Sequence, residues 1–415
     1  MPKILNLILV PCICAGFMGC SNKNPASPPI DNKELAATEK SLIESDNKFG
    51  FKLFQEIISQ EKDKNVFISP LSVSMALGMT YNGAEGRTQE AMQTTLELSG
   101  LTMQEVNESY QSVIELLTNL DQKVQFRIAN SIWYRQGFPV EDEFITLNKT
   151  YFNAEVRGLD FNDPNASDII NGWVDENTNR KIKEIVDKVI NPLTMMFLID
   201  AIYFKGTWTS EFDKELTQDD WFTLPDGSQK PCRMMTQERD FQYFENADFQ
   251  AIDLPYGEGD FRMTIFLPRE QKNVDSLIAE FNPENWNQWR ISFSEQKGTL
   301  QLPKFTLEYE LSLNDILEAL GMAIAFDPLQ ADFTRMYKKE QVTENLYISQ
   351  VKHKTFVKVD EEGTEAAAVT SVEMTLTALP SGFSMRVDRP FVLVIREDHS
   401  QTILFIGKIV EPTVE

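Results

Sequence analysis

The chain contains a 28-residue connection, residues 361–388, between two segments that alternate as β-strands, and it limits the possible folds more than any other feature. Connections in compact domains are usually about 4–6 residues long, so one of this length is expected to be functional or disordered. After Gly363 it has no further Gly or Pro until Pro380, and Thr, Ala and Val dominate. Such a composition is typical of a strand and unlike a linker.

The same connection alternates like a strand with one buried face. Every second residue from Thr364 to Leu376 is uncharged, and the two charged residues, Glu365 and Glu373, fall on the other face. A strand that is buried on one side and hydrated on the other needs this alternation. We interpret the connection as a strand that is not yet inserted into a sheet. A plain edge hairpin is the alternative, because Ala is a modest strand former.

The rest of the chain predicts one α+β domain, since no linker-like break divides residues 32–415. Apolar residues at helical spacing predict helices at 33–58, 71–81, 87–97, 102–119, 166–189 and 312–320. Apolar runs and alternation predict strands at 124–134, 195–204, 241–245, 250–254, 261–267, 291–295, 299–308, 347–359, 390–396 and 402–409. The strand at 195–204 is nearly apolar throughout, so we expect it to be central in its sheet.

The first 38 residues have a different character. An apolar run at 4–18 follows Lys3 and is too short to span a bilayer, which is typical of an export signal. The run ends in a Phe-Met-Gly-Cys sequence that resembles the cleavage site of bacterial lipoproteins, with Cys20 as the lipidated residue. We expect a signal peptide at 1–19, a flexible tether at 20–38 and a folded domain at 39–415. A simple secretory signal with an incidental cysteine is the alternative.

These segments predict an exported lipoprotein that faces the periplasm or the cell surface and contacts the membrane through its lipid. Acidic residues outnumber basic ones by 63 to 39, giving a formal net charge of -24. This charge argues against a nucleic-acid partner, because phosphate binding needs clustered positive charge, and it favours solubility.

The chain has too few cysteines and histidines for disulfide frameworks, for a cysteine nucleophile with a histidine base, or for most zinc sites. Cys12 and Cys14 lie in the leader, which leaves Cys232 alone in the folded part and excludes an intramolecular disulfide there. A cysteine nucleophile would need a neighbouring base, and the chain has only His353 and His399. The same shortage, and the lack of a CxxC pair, exclude most zinc sites. We therefore expect no metal and no cofactor.

Several segments resemble the serpin family. Residues 359–368, which read Val-Asp-Glu-Glu-Gly-Thr-Glu-Ala-Ala-Ala, resemble the hinge of a serpin reactive loop. Further matches lie at 65–88, 201–208, 254–256, 302–305, 387–391 and 404–412, in the family's order. The resemblance implies a single α+β domain with about three β-sheets, eight to nine helices and an exposed reactive-centre loop.

The resemblance also implies a function, which is suicide-substrate inhibition of serine proteases and of some cysteine proteases. The target attacks the loop and forms an acyl-enzyme, and the severed loop then inserts into the main sheet and distorts the protease. The expected partner is thus a protease, the chain is not expected to be an enzyme, and we expect a monomer.

The resemblance also implies roles for individual residues, assigned where this sequence matches the family's motifs. The hinge comprises Glu361, Gly363, Thr364, Glu365, Ala366, Ala367 and Ala368. The shutter, which controls opening of the sheet, comprises Ser69, Ser72, Asn171, Asp200 and His353, and the breach at the top of the loop's path comprises Trp208, Lys304 and Glu361. We expect an ion pair between Lys304 and Glu361.

One shutter position departs from the family pattern, because Asp200 stands where serpins usually have Asn. An Asp here could pair with a protonated His353 and make sheet opening sensitive to pH. An ordinary buried hydrogen bond is the alternative.

The scissile bond has several candidate positions. Counting 17 residues from Glu361 gives Thr377, followed by Ala378. Counting back from the closing strand gives Leu379, and Met374 and Leu376 are also candidates. Because no Lys or Arg lies between 358 and 386, elastase-like or chymotrypsin-like targets are favoured over trypsin-like ones.

Two other functions compete with inhibition. A non-inhibitory serpin-like binding protein would share the fold, but such proteins tend to carry Pro, bulky or charged hinge residues, and the inward face of 364–370 has none. A Ser-His-Asp hydrolase would need a histidine beside a reactive serine, and no GxSxG motif is present.

Overall fold

The computed structural model describes residues 34–364 and 382–413, apart from the side chain of Asn119. The expected signal peptide, most of the tether and the stretch 365–381 lie outside these residues. From Leu35 onward the described residues form one compact unit. No helix in this part of the chain is both long and apolar enough to cross a membrane.

Helices dominate the N-terminal third of the described chain. The α-helical segments are α1 (Ala37–Gln60), α2 (Pro70–Tyr81), α3 (Gly86–Thr95), α4 (Met103–Asn119), α5 (Asp142–Tyr151), α6 (Ala166–Asn177), α7 (Val274–Ala279), α8 (Pro283–Ile291), α9 (Asn314–Leu317) and α10 (Ala323–Phe326). Ser69 caps α2, because its hydroxyl accepts a hydrogen bond from the Ser72 amide and Pro70 occupies the first turn. The start of α2 thereby places two of the predicted shutter serines.

The strands assemble into two sheets. They are β1 (Val66–Ile68), β2 (Val124–Arg135), β3 (Glu155–Leu159), β4 (Met196–Thr207), β5 (Gln218–Thr223), β6 (Gln229–Glu245), β7 (Phe249–Tyr256), β8 (Phe261–Pro268), β9 (Ser294–Pro303), β10 (Phe305–Ser312), β11 (Lys352–Asp360), β12 (Gly363–Thr364), β13 (Phe383–Arg386), β14 (Phe391–Glu397) and β15 (Ile403–Ile409). The nine-stranded sheet runs β1-β15-β14-β8-β7-β6-β9-β13, with β5 paired to β6.

The six-stranded sheet positions the candidate site. Its order is β10-β11-β12-β4-β2-β3, and β12 is a strand of two residues. Gly363 pairs with Asp360 of β11 and Thr207 of β4, and Thr364 continues both ladders. Among the described residues no backbone pairing joins β4 to β11 directly, so β12 is the link between the two halves of this sheet.

The main hydrophobic core lies between the two sheets. Phe204 of β4 packs against Phe126 of β2 and, across the sheets, against Phe405 of β15. A second cluster covers the other face of the six-stranded sheet, where Trp133 and Ile199 join buried residues of α6. Because side chains alternate along β4, Asp200 points to the opposite face from Ile199, towards α2.

The structure confirms the fold class, with differences in detail. The described strands connect into two hydrogen-bonded sheets, whereas the family resemblance implied about three. The predicted helix at 166–189 ends at Asn177, since Asn179 and Arg180 adopt positive φ angles of 51° and 65°. The predicted strand at 299–308 is two strands separated by Lys304, and the helix predicted at 312–320 is broken by a π-helical turn.

Candidate functional site

The hinge begins inside the six-stranded sheet. Gly363 has a φ of +147°, and a Cβ atom at this position would lie 2.1 Å from the carbonyl oxygen of Gly206. Only glycine fits so close to a neighbouring strand. Thr364 is buried, and its hydroxyl lies 2.7 Å from the Tyr256 hydroxyl. The inward orientation predicted for Thr364 is therefore present.

The predicted ion pair of the breach is also present. The Lys304 ammonium nitrogen donates to Oε2 of Glu361 at 2.6 Å, and the Thr217 hydroxyl donates to Oε1 at 2.8 Å. Burial alone would raise the pKa of Glu361, but these two donors hold the pKa below its ordinary value. Both oxygens of this nearly buried carboxylate thus have a partner, and the chain just before Gly363 is fixed.

Trp208 holds the same turn from the other side. Its indole N–H donates to the Asp360 carbonyl at 3.0 Å, and its backbone N–H donates to the Glu362 carbonyl at 2.9 Å. The indole stacks on Tyr256 with ring centroids 4.4 Å apart. Lys214 forms an ion pair with the Glu362 carboxylate. The breach therefore anchors the turn through backbone and side-chain contacts together.

Four predicted shutter residues lie together where the start of α2 packs against β4 and β11. The Ser69 amide donates to Nε2 of His353 at 3.0 Å, and the Ser69 hydroxyl donates to the Leu404 carbonyl at 2.7 Å. The Ser72 hydroxyl donates to the backbone carbonyl of Asp200 at 3.3 Å. These contacts connect α2 to β4, β11 and β15.

The pair that Asp200 could have formed with His353 is absent, and so, among the described residues, is the alternative of an ordinary hydrogen bond to the Asp200 carboxyl. Nε2 of His353 is used as an acceptor, and burial lowers the pKa of this imidazole to about 4, so it is neutral at pH 7. Both carboxyl oxygens of Asp200 are buried without a hydrogen-bond partner, and burial raises its pKa to about 8. The two side chains are thus both mainly uncharged at neutral pH.

Asn171 takes a different position from the other shutter residues. Its side-chain oxygen accepts from the amides of Ile185 and Val186 at 2.9 Å each, and its side-chain nitrogen donates to the Val186 carbonyl at 2.8 Å. It therefore fixes the chain that follows α6, and it makes no hydrogen bond to Ser69 or Ser72 among the contacts described.

Other candidates are outside the described residues or lack reactivity. The structure does not describe Glu365, Ala366, Ala367, Ala368, Met374, Leu376, Thr377, Ala378, Leu379 or Cys20. Cys232 is buried, and burial raises the pKa of its thiol to about 11, which leaves almost no thiolate at neutral pH. Among the residues that are described, no cluster of three or more His, Cys, Asp or Glu side chains could hold a metal.

Sequence reasoning missed Tyr256, Thr217 and Lys214 as parts of the site. Tyr256 lies in the segment 254–256, which resembles the serpin family, and this resemblance could have identified Tyr256 as part of the site. Thr217 and Lys214 reach the turn at 361–362 from about 145 positions earlier in the chain. No local spacing indicates such contacts.

Comparison with known proteins agrees with this geometry. A family model described as serpin (serine protease inhibitor) matches residues 44–412. An uncharacterised serpin-like protein of Thermococcus kodakarensis is 35% identical over 381 residues, covering 90% of this chain and 86% of the relative. The native state of tengpin, a thermophilic serpin, aligns with a TM-score of 0.83 at 32% identity, covering 93% and 97% of the two chains. Human thyroxine-binding globulin aligns with a TM-score of 0.81 at 28% identity, covering 91% and 100%.

Proposed function

Because the chain belongs to the serpin family, whose members are generally protease inhibitors, we propose that it is a suicide-substrate inhibitor of serine proteases and of some cysteine proteases. In this proposal the protease cleaves the stretch after β12, and that stretch then completes the strand between β4 and β11. The chain performs one such event and does not turn over.

The observation that carries the proposal is the position of β12. Its two residues are hydrogen-bonded to β11 on one side and to β4 on the other, while β4 and β11 are not paired directly in the described chain. Residues that follow Thr364 can continue both ladders in the same direction. Their alternation of uncharged and charged residues suits a strand with one buried face.

The chemistry of the proposal belongs to the target. The protease nucleophile attacks the scissile carbonyl, the peptide nitrogen leaves with a proton, and an ester or thioester joins protease and inhibitor. Serpin loops are a known case of strand insertion into a sheet, which here would carry the attached protease away from its starting position. Hydrolysis of the acyl-enzyme then becomes slow, because the catalytic groups of the protease are no longer correctly arranged.

Specificity follows from the uncharged window at 374–379, which contains all candidate scissile residues. A trypsin-like pocket needs a Lys or Arg, and neither occurs between Lys358 and Arg386. Elastase-like and chymotrypsin-like proteases are the proposed targets, with cleavage at Thr377–Ala378 or at a neighbouring bond.

The test is incubation of the protein with elastase, chymotrypsin, subtilisin, papain and trypsin, followed by denaturing gel electrophoresis and mass spectrometry of the released fragment. The proposal predicts a denaturant-resistant complex with an elastase-like or chymotrypsin-like enzyme, and cleavage between Met374 and Pro380. Cleaved protein without any complex, for every protease tested, would contradict it.

A second candidate function is ligand binding without inhibition. It is favoured by the similarity to thyroxine-binding globulin, whose name describes it as a binder of thyroxine. The gel experiment separates the two functions, since a binding protein would be cut without trapping its protease.

We further propose that Cys20 is lipidated and that the domain is tethered to the membrane of a bacterial cell, facing the periplasm or the cell surface. Support comes from the sequence alone, in which a short apolar run precedes Cys20 and a stretch rich in Ser, Asn and Pro follows it. Expression with radiolabelled palmitate should label the wild type and leave Cys20→Ala unlabelled. Equal labelling, or none in either protein, would contradict the tether.

A further inference from the structure

A cavity of about 690 Å³ lies beneath the region between β4 and β11, beside α2. Its walls are mainly apolar and include Val73, Leu77, Val174, Leu198 and Ile348. Cavities of about 300–1,000 Å³ with apolar walls and a few polar groups are typical of small-molecule sites. The cavity is distinct from the breach, since no breach residue lines it.

Asp200 supplies a carboxyl group that lies near the Ser72 hydroxyl but makes no hydrogen bond of normal geometry within the described chain. It lines the cavity, and both of its carboxyl oxygens are buried without a hydrogen bond. A buried polar group in this condition costs free energy, so a donor that reached it would be bound favourably. His353 also lines the cavity, but the Ser69 amide already occupies its Nε2.

The other charged residues of the lining are either paired or exposed. Lys352 pairs with Asp187 at 2.6 Å, and Lys354 pairs with a glutamate of β10 at 3.2 Å. Asp187 and Glu344 are themselves exposed to solvent. The buried end of the cavity therefore carries acidic character from Asp200, and the lysines of the lining are already engaged with other acids.

We propose that this cavity binds a small apolar amine, with the ammonium group hydrogen-bonded to Asp200 and the apolar body against α2 and β4. An ammonium carries three N–H donors, so it can serve both carboxyl oxygens at once. The ammonium charge favours release of the proton from the Asp200 carboxyl, and the charge-assisted hydrogen bonds that then form are stronger than neutral ones. The apolar walls favour an aromatic or aliphatic body over a polar one.

The site has a consequence for inhibition that rests on the proposed function. The cavity is lined by residues of β4 and β11, the two strands between which the loop would insert. A bound amine would connect Asp200 of β4 to the layer beneath it and oppose the movement that insertion requires. The amine would then slow trapping of the protease, whereas binding itself needs no protease.

The experiment compares tryptamine with 3-ethylindole, which has nearly the same shape but no ammonium group. Isothermal calorimetry at pH 8 measures both ligands with the wild type, with Asp200→Asn and with Asp187→Asn. Asp187 is the matched control, because it is an acid on the same cavity that is exposed and already paired with Lys352. Loss of the charged contact should weaken tryptamine binding by about tenfold in Asp200→Asn. Binding of 3-ethylindole should change less than twofold, and Asp187→Asn should bind like the wild type.

Each other outcome overturns the proposal. No measurable binding of tryptamine to the wild type removes the site. Equal affinity for the two ligands, or equal loss in both variants, removes Asp200 as the anchor. The rate of complex formation with the best protease is then measured with and without tryptamine, so that failure of inhibition and failure of ligand binding are recorded separately.

Discussion

Side chains in the candidate site have opposite effects on the stability of the native fold. Gly363 allows the chain to pass within van der Waals contact of Gly206, and Glu361 is fixed by Lys304 and Thr217. The carboxyl oxygens of Asp200, by contrast, are buried without a hydrogen bond in the described chain, and the residue lines a cavity. The contacts around Glu361 thus stabilise the native position of Gly363 and Thr364, while Asp200 is a destabilising group. Substitutions at these two places should therefore have opposite effects.

Replacing Asp200 with Asn should remove a pH dependence of stability. The pKa of this carboxyl rises from 3.8 to about 8 on folding, so between these pH values the folded protein holds a proton that the unfolded chain has released. Native stability therefore falls as the pH rises, by at most about 1.4 kcal/mol per pH unit. Urea unfolding of both proteins at pH 5 and pH 8 should show a stability advantage of Asp200→Asn that grows with pH.

Titration of His353 does not affect the comparison of wild type with Asp200→Asn. Its pKa falls from 6.5 to about 4 on folding, so its contribution to native stability is lost as the pH falls below 6.5. That contribution has the opposite slope and is present in both proteins, so their difference isolates Asp200. Stability curves that remain parallel from pH 5 to pH 8 would contradict the assignment.

Breaking the breach ion pair should cost more than breaking a surface pair of the same length. Lys304→Ala would leave Glu361, whose side chain is only 6% exposed, without its cation. We expect a loss of about 2 kcal/mol in the free energy of unfolding. The control is Lys123→Ala, because Lys123 and Glu258 are also 2.6 Å apart but each is 63% exposed, so solvent screens the pair and a much smaller loss is expected. Equal losses would show that the breach pair has no special role.

At the scale of elements, β12 is unusual because two residues link the two halves of a six-stranded sheet. Thr364 forms its last described pair, with its hydroxyl on Tyr256 beneath the sheet. An inserting strand would have to extend from Thr364, which is already in the sheet, so its later residues can pair only while β12 stays in place. The element is thus the step at which insertion is most easily blocked.

If the protein inhibits as proposed, Thr364→Arg should turn it into a substrate. Thr364 is already buried beside Tyr256 in the native sheet, so an arginine there would push β12 out of the sheet, and any inserting strand would then have to bury an unpaired charge at a cost of several kcal/mol. The scissile region is unchanged, so the protease should still cut. On a denaturing gel the ratio of covalent complex to cleaved product should fall at least tenfold. Thr364→Ser keeps the hydroxyl and should trap protease like the wild type, and a Thr364→Arg protein that did the same would refute the role of the hinge.

Local sequence signals predicted most elements and part of the site. The cap at Ser69 and Pro70 and the apolar strand at 195–204 are local signals, and both correspond to elements of the structure. The helix predicted at 166–189 was too long, because its apolar spacing continues after the backbone turns at Asn179. Neither contact considered for Asp200, a pair with His353 or an ordinary hydrogen bond, is formed in the described chain, and the Ser69 amide from another element occupies the imidazole. Such competition between partners distant in the chain leaves no trace in local patterns.

At the scale of the whole molecule, the proposal requires a native fold that is less stable than its cleaved form. The sheet halves on either side of β12 are not paired directly in the described chain, and a continuous strand between them would add hydrogen bonds along both edges. It would also bury the uncharged face of the stretch after Thr364. Cleavage releases one end of that stretch and so permits this gain. An ordinary exposed loop offers no such gain when it is cut.

Strand insertion can be tested by the melting temperature before and after complete cleavage between Met374 and Pro380, with the fragments checked by mass spectrometry. The account predicts that the cleaved protein melts tens of degrees higher than the native protein, because the severed stretch becomes a central strand. A melting temperature that is unchanged or lower after cleavage would contradict strand insertion and the inhibitory mechanism built on it.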